Sequence, residues 1–213
     1  MRIVVFGASG RLGQRVVAEA KGRGHQVTST ARRAQSLDIE GDQVAVTPAN
    51  VNSVDSVAEV AVGHDVAIST IGPAQGDPPD VISSAAQTLL SGLSVAGVRR
   101  LVVSGGAGSL EVAPGVRLVD TPDFPERARP VALAHAAALD VYMRADTDVD
   151  WSYISPAAVL EPGERTGRYR VGGDALLTDA DGKSYISMED FAVAIVDEAE
   201  RPKHIRKRFT VAF

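Results

Sequence analysis

The first thirteen residues constrain this chain most. Ile3-Val4-Val5-Phe6 is a run of β-branched and aromatic residues, and Gly7-Ala8-Ser9-Gly10-Arg11-Leu12-Gly13 follows it directly. The run reads as a buried strand. Leu12, Val16, Val17 and Ala20 then recur at helical spacing, and the Gly22 and Gly24 region stops the helix. The glycines follow the pattern GxxGxxG between a strand and a helix, which is the context a dinucleotide-binding turn requires. Gly7 permits the tight turn, Gly10 lets a pyrophosphate approach the backbone, and Gly13 lets the helix pack closely on the sheet. Ala8, Ser9, Arg11 and Leu12 complete the turn. The helix start then offers free N–H groups and a positive dipole end to phosphate.

The rest of the chain alternates in the same way. Gln26–Thr30, Val44–Thr47, Asp65–Ile71, Arg100–Ser104, Trp151–Ser155 and Arg208–Ala212 read as strands. Val54–Val62, Val81–Ala96, Val131–Arg144 and Met188–Ala199 read as helices, the last with Ser187 as N-cap and Asp190 three residues on. The expectation is a single α/β domain over residues 1–213: a Rossmann-type, doubly wound parallel sheet with helices on both faces. The part from Trp151 onward is expected to form a small substrate-side region. Two irregular stretches, Gly105–Pro130 and Pro162–Gly173, are long for connections in a compact domain. Asp120–Arg129 within the first, and the whole of the second, are expected to act as lid and wall of a substrate cleft.

Composition narrows the chemistry. The net charge is −5, which disfavours a nucleic-acid partner. There is no cysteine, which excludes disulfides, thiolate catalysis and cysteine-ligated metals. The apolar start runs into glycines too soon for a signal peptide or a membrane span, so a cytoplasmic protein is expected. The four histidines, His25, His64, His135 and His204, are scattered, and no metal site is expected. The expected partner is a small-molecule acceptor; a homodimer is compatible with the composition.

The second strand runs into Thr30-Ala31-Arg32-Arg33, and no acid stands between His25 and Leu37. An NAD-preferring turn carries an Asp or Glu near this point for the ribose hydroxyls. Two guanidinium groups suit a 2′-phosphate instead, so NADP(H) is expected over NAD(H). Ser69-Thr70-Ile71-Gly72 and Ser104 stand at the carboxyl ends of the fourth and fifth strands, where ligands of open α/β sheets bind. Ser69, Thr70 and Gly72 are expected to line the cofactor cleft. Ser104 is expected to face the nicotinamide or substrate and is the candidate catalytic residue. His135 is a second candidate, as a general acid.

These segments resemble the atypical short-chain dehydrogenase/reductase group, and within it the NADH-flavin reductase-like proteins. The resemblance rests on Gly7 to Gly13, Gly105-Gly106-Ala107-Gly108-Ser109-Leu110, Asp120-Thr121-Pro122-Asp123-Phe124-Pro125, Asp150-Trp151-Ser152-Tyr153-Ile154-Ser155-Pro156-Ala157 and Pro162-Gly163-Glu164-Arg165-Thr166-Gly167-Arg168-Tyr169. More distantly, the chain is similar to the biliverdin-IXβ/flavin reductases and the NmrA-like redox-sensing regulators. The resemblance implies a Rossmann core, a bound nicotinamide dinucleotide and a C-terminal region over the substrate side. Standard members use Tyr-x-x-x-Lys. Here Tyr142 is followed four residues on by Asp146, which is expected to raise the tyrosine pKa. Nor does Pro156-Ala157-Ala158-Val159 carry the histidine of the biliverdin/flavin reductases. Two readings follow. One is hydride transfer from NADPH to a flavin, quinone or similar planar acceptor, with flavin as a substrate. The other is a non-catalytic NADP(H) redox sensor. A sugar- or isoflavone-type reductase or epimerase is disfavoured by the missing pair.

Overall fold

A computed structural model describes residues 1–32, 44–73 and 76–213. In chain order, β1 (Arg2–Phe6) leads to α1 (Arg11–Gly22), β2 (Gln26–Ala31), β3 (Val44–Pro48), α2 (Val54–Ala61), β4 (Val66–Ser69), α3 (Val81–Ala96) and β5 (Arg100–Ser104). A hairpin follows, β6 (Glu111–Ala113) and β7 (Val116–Arg117), then two short 3-10 turns. The chain continues through α4 (Arg129–Arg144), β8 (Asp150–Ser155), β9 (Val159–Glu161), β10 (Arg170–Gly172), β11 (Tyr185–Ser187), α5 (Met188–Glu200) and β12 (Lys207–Ala212).

The main sheet has eight strands in the order β10-β12-β8-β5-β4-β1-β2-β3. Every neighbouring pair is parallel except β10–β12, an antiparallel edge that departs from the all-parallel sheet expected above. The chain winds outward through β2 and β3, returns beside β1 at β4, and winds the other way. Register brings Phe6 opposite Thr30 and Ser69, and Ser104 opposite Ile154. One rim of the sheet therefore carries every strand's carboxyl end around the β1/β4 switch, where open α/β sheets bind ligands.

Both faces of the sheet are covered, which is why its strands are nearly all apolar. The pleat sends Ile3 and Val5 to one face and Val4 and Phe6 to the other. On the first face Ile3, Val5, Ile68 and Val102 pack under α1 and α5. On the second, Val4, Phe6, Leu101 and Val103 pack under α2, α3 and α4, with Leu89, Leu93 and Tyr142 among the filling side chains. Each fully buried aliphatic of this size contributes on the order of 2 kcal/mol.

The helix ends follow their local chemistry. The Ser53 hydroxyl accepts from the Ser56 amide, and the Ser187 hydroxyl from the Asp190 amide at 3.0 Å. Gly97 closes α3 in the left-handed conformation, at φ 73°. Asp190 does not reach back to its own cap. Its buried carboxylate instead accepts from the Thr166 amide, the Thr166 hydroxyl and the Gly167 amide at 2.7–2.9 Å. With Arg165 on Glu19 at 2.7 Å, Gly163 N–H on Glu189 and the Tyr169 hydroxyl on Asp197, residues 163–169 form a strap across α1 and α5.

The 105–130 stretch folds back on itself over the ligand rim. The Leu118 amide donates to Leu110, the Val119 amide donates to Gly108, and the Arg129 side chain reaches the Val119 carbonyl. The Glu111 amide and carbonyl bond Asp174 and Leu176, so the chain beyond β8 does touch this stretch. Among the described residues no helix is long and apolar enough to cross a membrane, and no cluster of side chains has the makings of a metal site.

Candidate functional site

The glycine turn supplies the first half of the site. Gly7 has φ 83°, and a Cβ there would lie 2.8 Å from the Thr70 carbonyl oxygen. A Cβ on Gly13 would strike the Gly7 carbonyl and stand 2.8 Å from the Ala8 Cα. Those two glycines are demanded by the fold itself. Gly10 is exposed; a Cβ there would meet only the Gly7 carbonyl oxygen, at 3.3 Å, and would otherwise project into open space. No side chain caps α1, and its first turn carries no acid. A bare helix start beside an uncovered glycine is what a pyrophosphate needs. The turn therefore fits a dinucleotide on the geometry of its own residues. Ser9 is partly exposed and Arg11 fully so, while Ala8 is buried. The carbonyls of Ser9 and Arg11 accept from Gln14 and Arg15 and brace the turn.

Around the same rim stand the other candidates. The Thr70 hydroxyl donates 3.1 Å to both the Phe6 and Gly7 carbonyls. It locks the glycine turn rather than reaching outward. Gly72 is exposed. Ser69 and Ser104 are buried and line one narrow recess of about 10 Å³, room for a single water, with His135, Tyr142 and Tyr153. None of residues 162–173 lines this pocket, since the strap lies on the opposite, α1/α5 side of the sheet. A larger groove between α3 and the far end of α4 opens at the opposite rim, away from the glycine turn.

Arg32 stands at the end of β2 with its side chain 58% exposed, paired in two-pronged fashion with Asp77 at 2.9 and 2.7 Å. The hydrogen bonds and charge of Asp77 hold the Arg32 guanidinium above its ordinary pKa. Arg33 lies outside the described residues.

Two sequence expectations need correction. The Tyr142 hydroxyl is raised in pKa, but by burial first and by the neighbouring Tyr153 second. Asp146 is exposed and takes no part. Tyr142 is a packing residue, its ring centroid 5.7 Å from Trp151 and 6.0 Å from Tyr153. His135 is pushed down to about 4 by burial alone, so its ring is neutral at neutral pH and is no imidazolium acid. Sequence reasoning missed Tyr153. Its hydroxyl donates 2.8 Å to the His135 carbonyl, and burial raises its pKa. Its signal was the paired glycines Gly105-Gly106, which leave room for bulky neighbours.

Comparison with known proteins agrees with this geometry. The chain is 39% identical over 214 residues to the uncharacterized protein YwnB of Bacillus subtilis (strain 168), across 99% of this chain and 98% of that one. A crystal structure of a candidate exported protein from Burkholderia pseudomallei superposes at a TM-score of 0.90 with 43% identity, covering all of both chains. A candidate NADH-flavin reductase from Streptococcus pneumoniae TIGR4 superposes at 0.86 with 32% identity, covering 100% of this chain and 99% of the other. A family model described as NAD(P)H-binding matches residues 7–202, and the chain belongs to that family, as a Rossmann-type protein of the oxidoreductase-like kind.

Proposed function

We propose that the protein is an NADPH-dependent reductase of planar acceptors, of the flavin or quinone class. The observation that carries the reading is the arrangement of one rim: a bare α1 start at Gly10, Arg32 at the end of β2, and Ser69 and Ser104 on the far side of the switch. Gly10 and the α1 amides hold the pyrophosphate, and Arg32 takes the 2′-phosphate by exchanging Asp77 for it. Ser104, with Ser69, borders the reacting end. The bound cofactor supplies a hydride, two electrons and one proton, and the acceptor takes its second proton from solvent. Such an acceptor asks little of the protein beyond placement. This suits a pocket whose ionisable groups, His135, Tyr142 and Tyr153, are all held neutral. The same neutrality suits a redox sensor that binds NADP(H) without turnover. A cytoplasmic location, where NADPH is regenerated, belongs to the reading.

The test is NADPH oxidation with FMN and a simple quinone offered in turn, with cofactor binding measured on the same sample. Saturable turnover supports the reductase, and binding without turnover supports the sensor. Arg32→Ala is expected to weaken NADPH binding about tenfold, ~1.4 kcal/mol, and to leave NADH binding nearly unchanged. Asp77→Asn, which frees Arg32, is expected to tighten NADPH binding. Equal losses for both cofactors with Arg32→Ala would refute the 2′-phosphate assignment.

A further inference from the structure

Gly105 and Gly106 open no helix. Their missing side chains make room for two rings of the protein itself. A Cβ on Gly105 would run into Tyr153, 2.5 Å from its Cζ. A Cβ on Gly106 would stand 2.9 Å from the Cβ and Cγ of His135 and 3.1 Å from its Cδ2. The Tyr153 hydroxyl donates to the His135 carbonyl, and the Gly106 backbone N–H faces the same hydroxyl. The turn after β5, strand β8 and helix α4 are thus tied together at one point, and that point fixes the His135 ring. Its Cδ2 edge lies on Gly106. Its Nδ1 is fully buried with no hydrogen-bond partner, in the wall of the pocket shared with Ser69 and Ser104. The residue keeps a minor share of its surface exposed, and of the two ring nitrogens only Nδ1 is fully enclosed without a partner.

A buried nitrogen without a partner is costly, and it is least so as a bare lone pair. The tautomer with the proton on Nε2 puts the N–H bond on the less enclosed nitrogen and leaves only the lone pair in the recess. We propose that His135 Nε2–H is a hydrogen-bond donor to a ring carbonyl oxygen of the acceptor, making His135 the residue that selects carbonyl-bearing planar rings. The acceptor class rests on the reductase reading above. Burial keeps the ring uncharged, so the contact persists unchanged from about pH 5.5 to 8. Quinones and flavins share the carbonyl that this donor recognises. Ser104 borders the acceptor, and the directional contact comes from α4.

The test uses the full chain saturated with NADP+ and 2-methyl-1,4-naphthoquinone as the probe. Calorimetry gives the quinone Kd for the wild type, His135→Phe and His135→Gln. His135→Phe keeps a ring without a donor; the amide of Gln restores a donor near Nε2. Expected are an approximately tenfold weaker quinone Kd for Phe, unchanged NADP+ affinity, and recovery of most of the loss in Gln. Imidazole 15N resonances of the wild type give an independent readout: quinone shifts Nε2 of His135 and leaves Nδ1 nearly still. A Phe variant that binds like the wild type, a Gln variant no better than Phe, or an unmoved Nε2 resonance overturns the proposal. Wild-type NADPH oxidation is measured alongside. Quinone held at Nε2 without turnover defeats the reductase reading and leaves the His135 contact standing; turnover with an unmoved Nε2 does the reverse.

Discussion

The two glycine-rich turns on the ligand rim look alike on paper and do opposite things in space. In the turn after β1, Gly10 faces outward and almost nothing of the protein stands over it. In the turn after β5, the space over Gly105 and Gly106 is filled by Tyr153 and His135. The first turn leaves its backbone uncovered at Gly10. The second lets the protein bring its own rings against the backbone. A glycine pattern therefore marks a close approach without saying who approaches, and the neighbouring elements supply that answer.

The comparison breaks most visibly if a Cβ is added where the protein already fills the space. Gly13→Ala drives a methyl into the Gly7 carbonyl and Ala8, neither of which can swing away. It is expected to destabilise by about 3 kcal/mol, read as a lower urea midpoint. Gly105→Ala meets a ring that can tilt, and about 2 kcal/mol is expected. An unaltered midpoint in either would mean that the turn relaxes and that the packing account is wrong.

A smaller effect, on a different quantity, is expected at Gly10. Its φ of −71° and ψ of 161° suit any residue, so Gly10→Ala should fold with stability within about 0.5 kcal/mol of the wild type. Its NADPH affinity should fall about tenfold, because the new methyl occupies the phosphate's approach. If Gly10→Ala loses stability and retains affinity, the two turns do not differ as described.

A pH dependence sharpens the contrast further. His135 titrates near its ordinary 6.5 when unfolded and at about 4 when folded. Between those values the unfolded chain binds more protons, so stability rises with pH and is lost as pH falls from about 6.5 towards 4. His135→Phe cannot lose this contribution. The wild type should therefore weaken relative to His135→Phe across that window in urea unfolding followed by circular dichroism. Parallel curves would place the His135 ring in water. Glu198 adds a loss at still lower pH, shared by both proteins. Burial raises its pKa, but hydrogen bonds from the His204 side chain and amide, Ser152 and the Lys203 amide outweigh this and hold it below the usual range.

Local signals carried much of the fold. Strands stood out as continuous apolar runs because both faces of the sheet are buried, helices stood out by their 3.6-residue period, and α3 and α4 lie within two residues of their expected spans. The short strands β6, β7, β9, β10 and β11 were not legible. Three-residue pairings have no period of their own and exist only because a partner lies alongside. Pro162–Gly173 departs most from its expected role. Expected as a cleft wall, it bonds Glu19, Glu189, Asp190 and Asp197 on the other side of the sheet.

The sequence by itself determined the succession of strands and helices, the glycine spacing at Gly7, Gly10 and Gly13, and the cation at Arg32, because each depends on residues adjacent in the chain. Tertiary structure alone decided that Asp77 sits on Arg32, that the Thr70 hydroxyl braces the turn, and that Tyr153 fixes His135 beside Ser104. Those contacts join residues 18 to 64 positions apart. Whether a polar group meets a partner, a ligand or nothing is set by burial and direction, which neighbours along the chain do not encode.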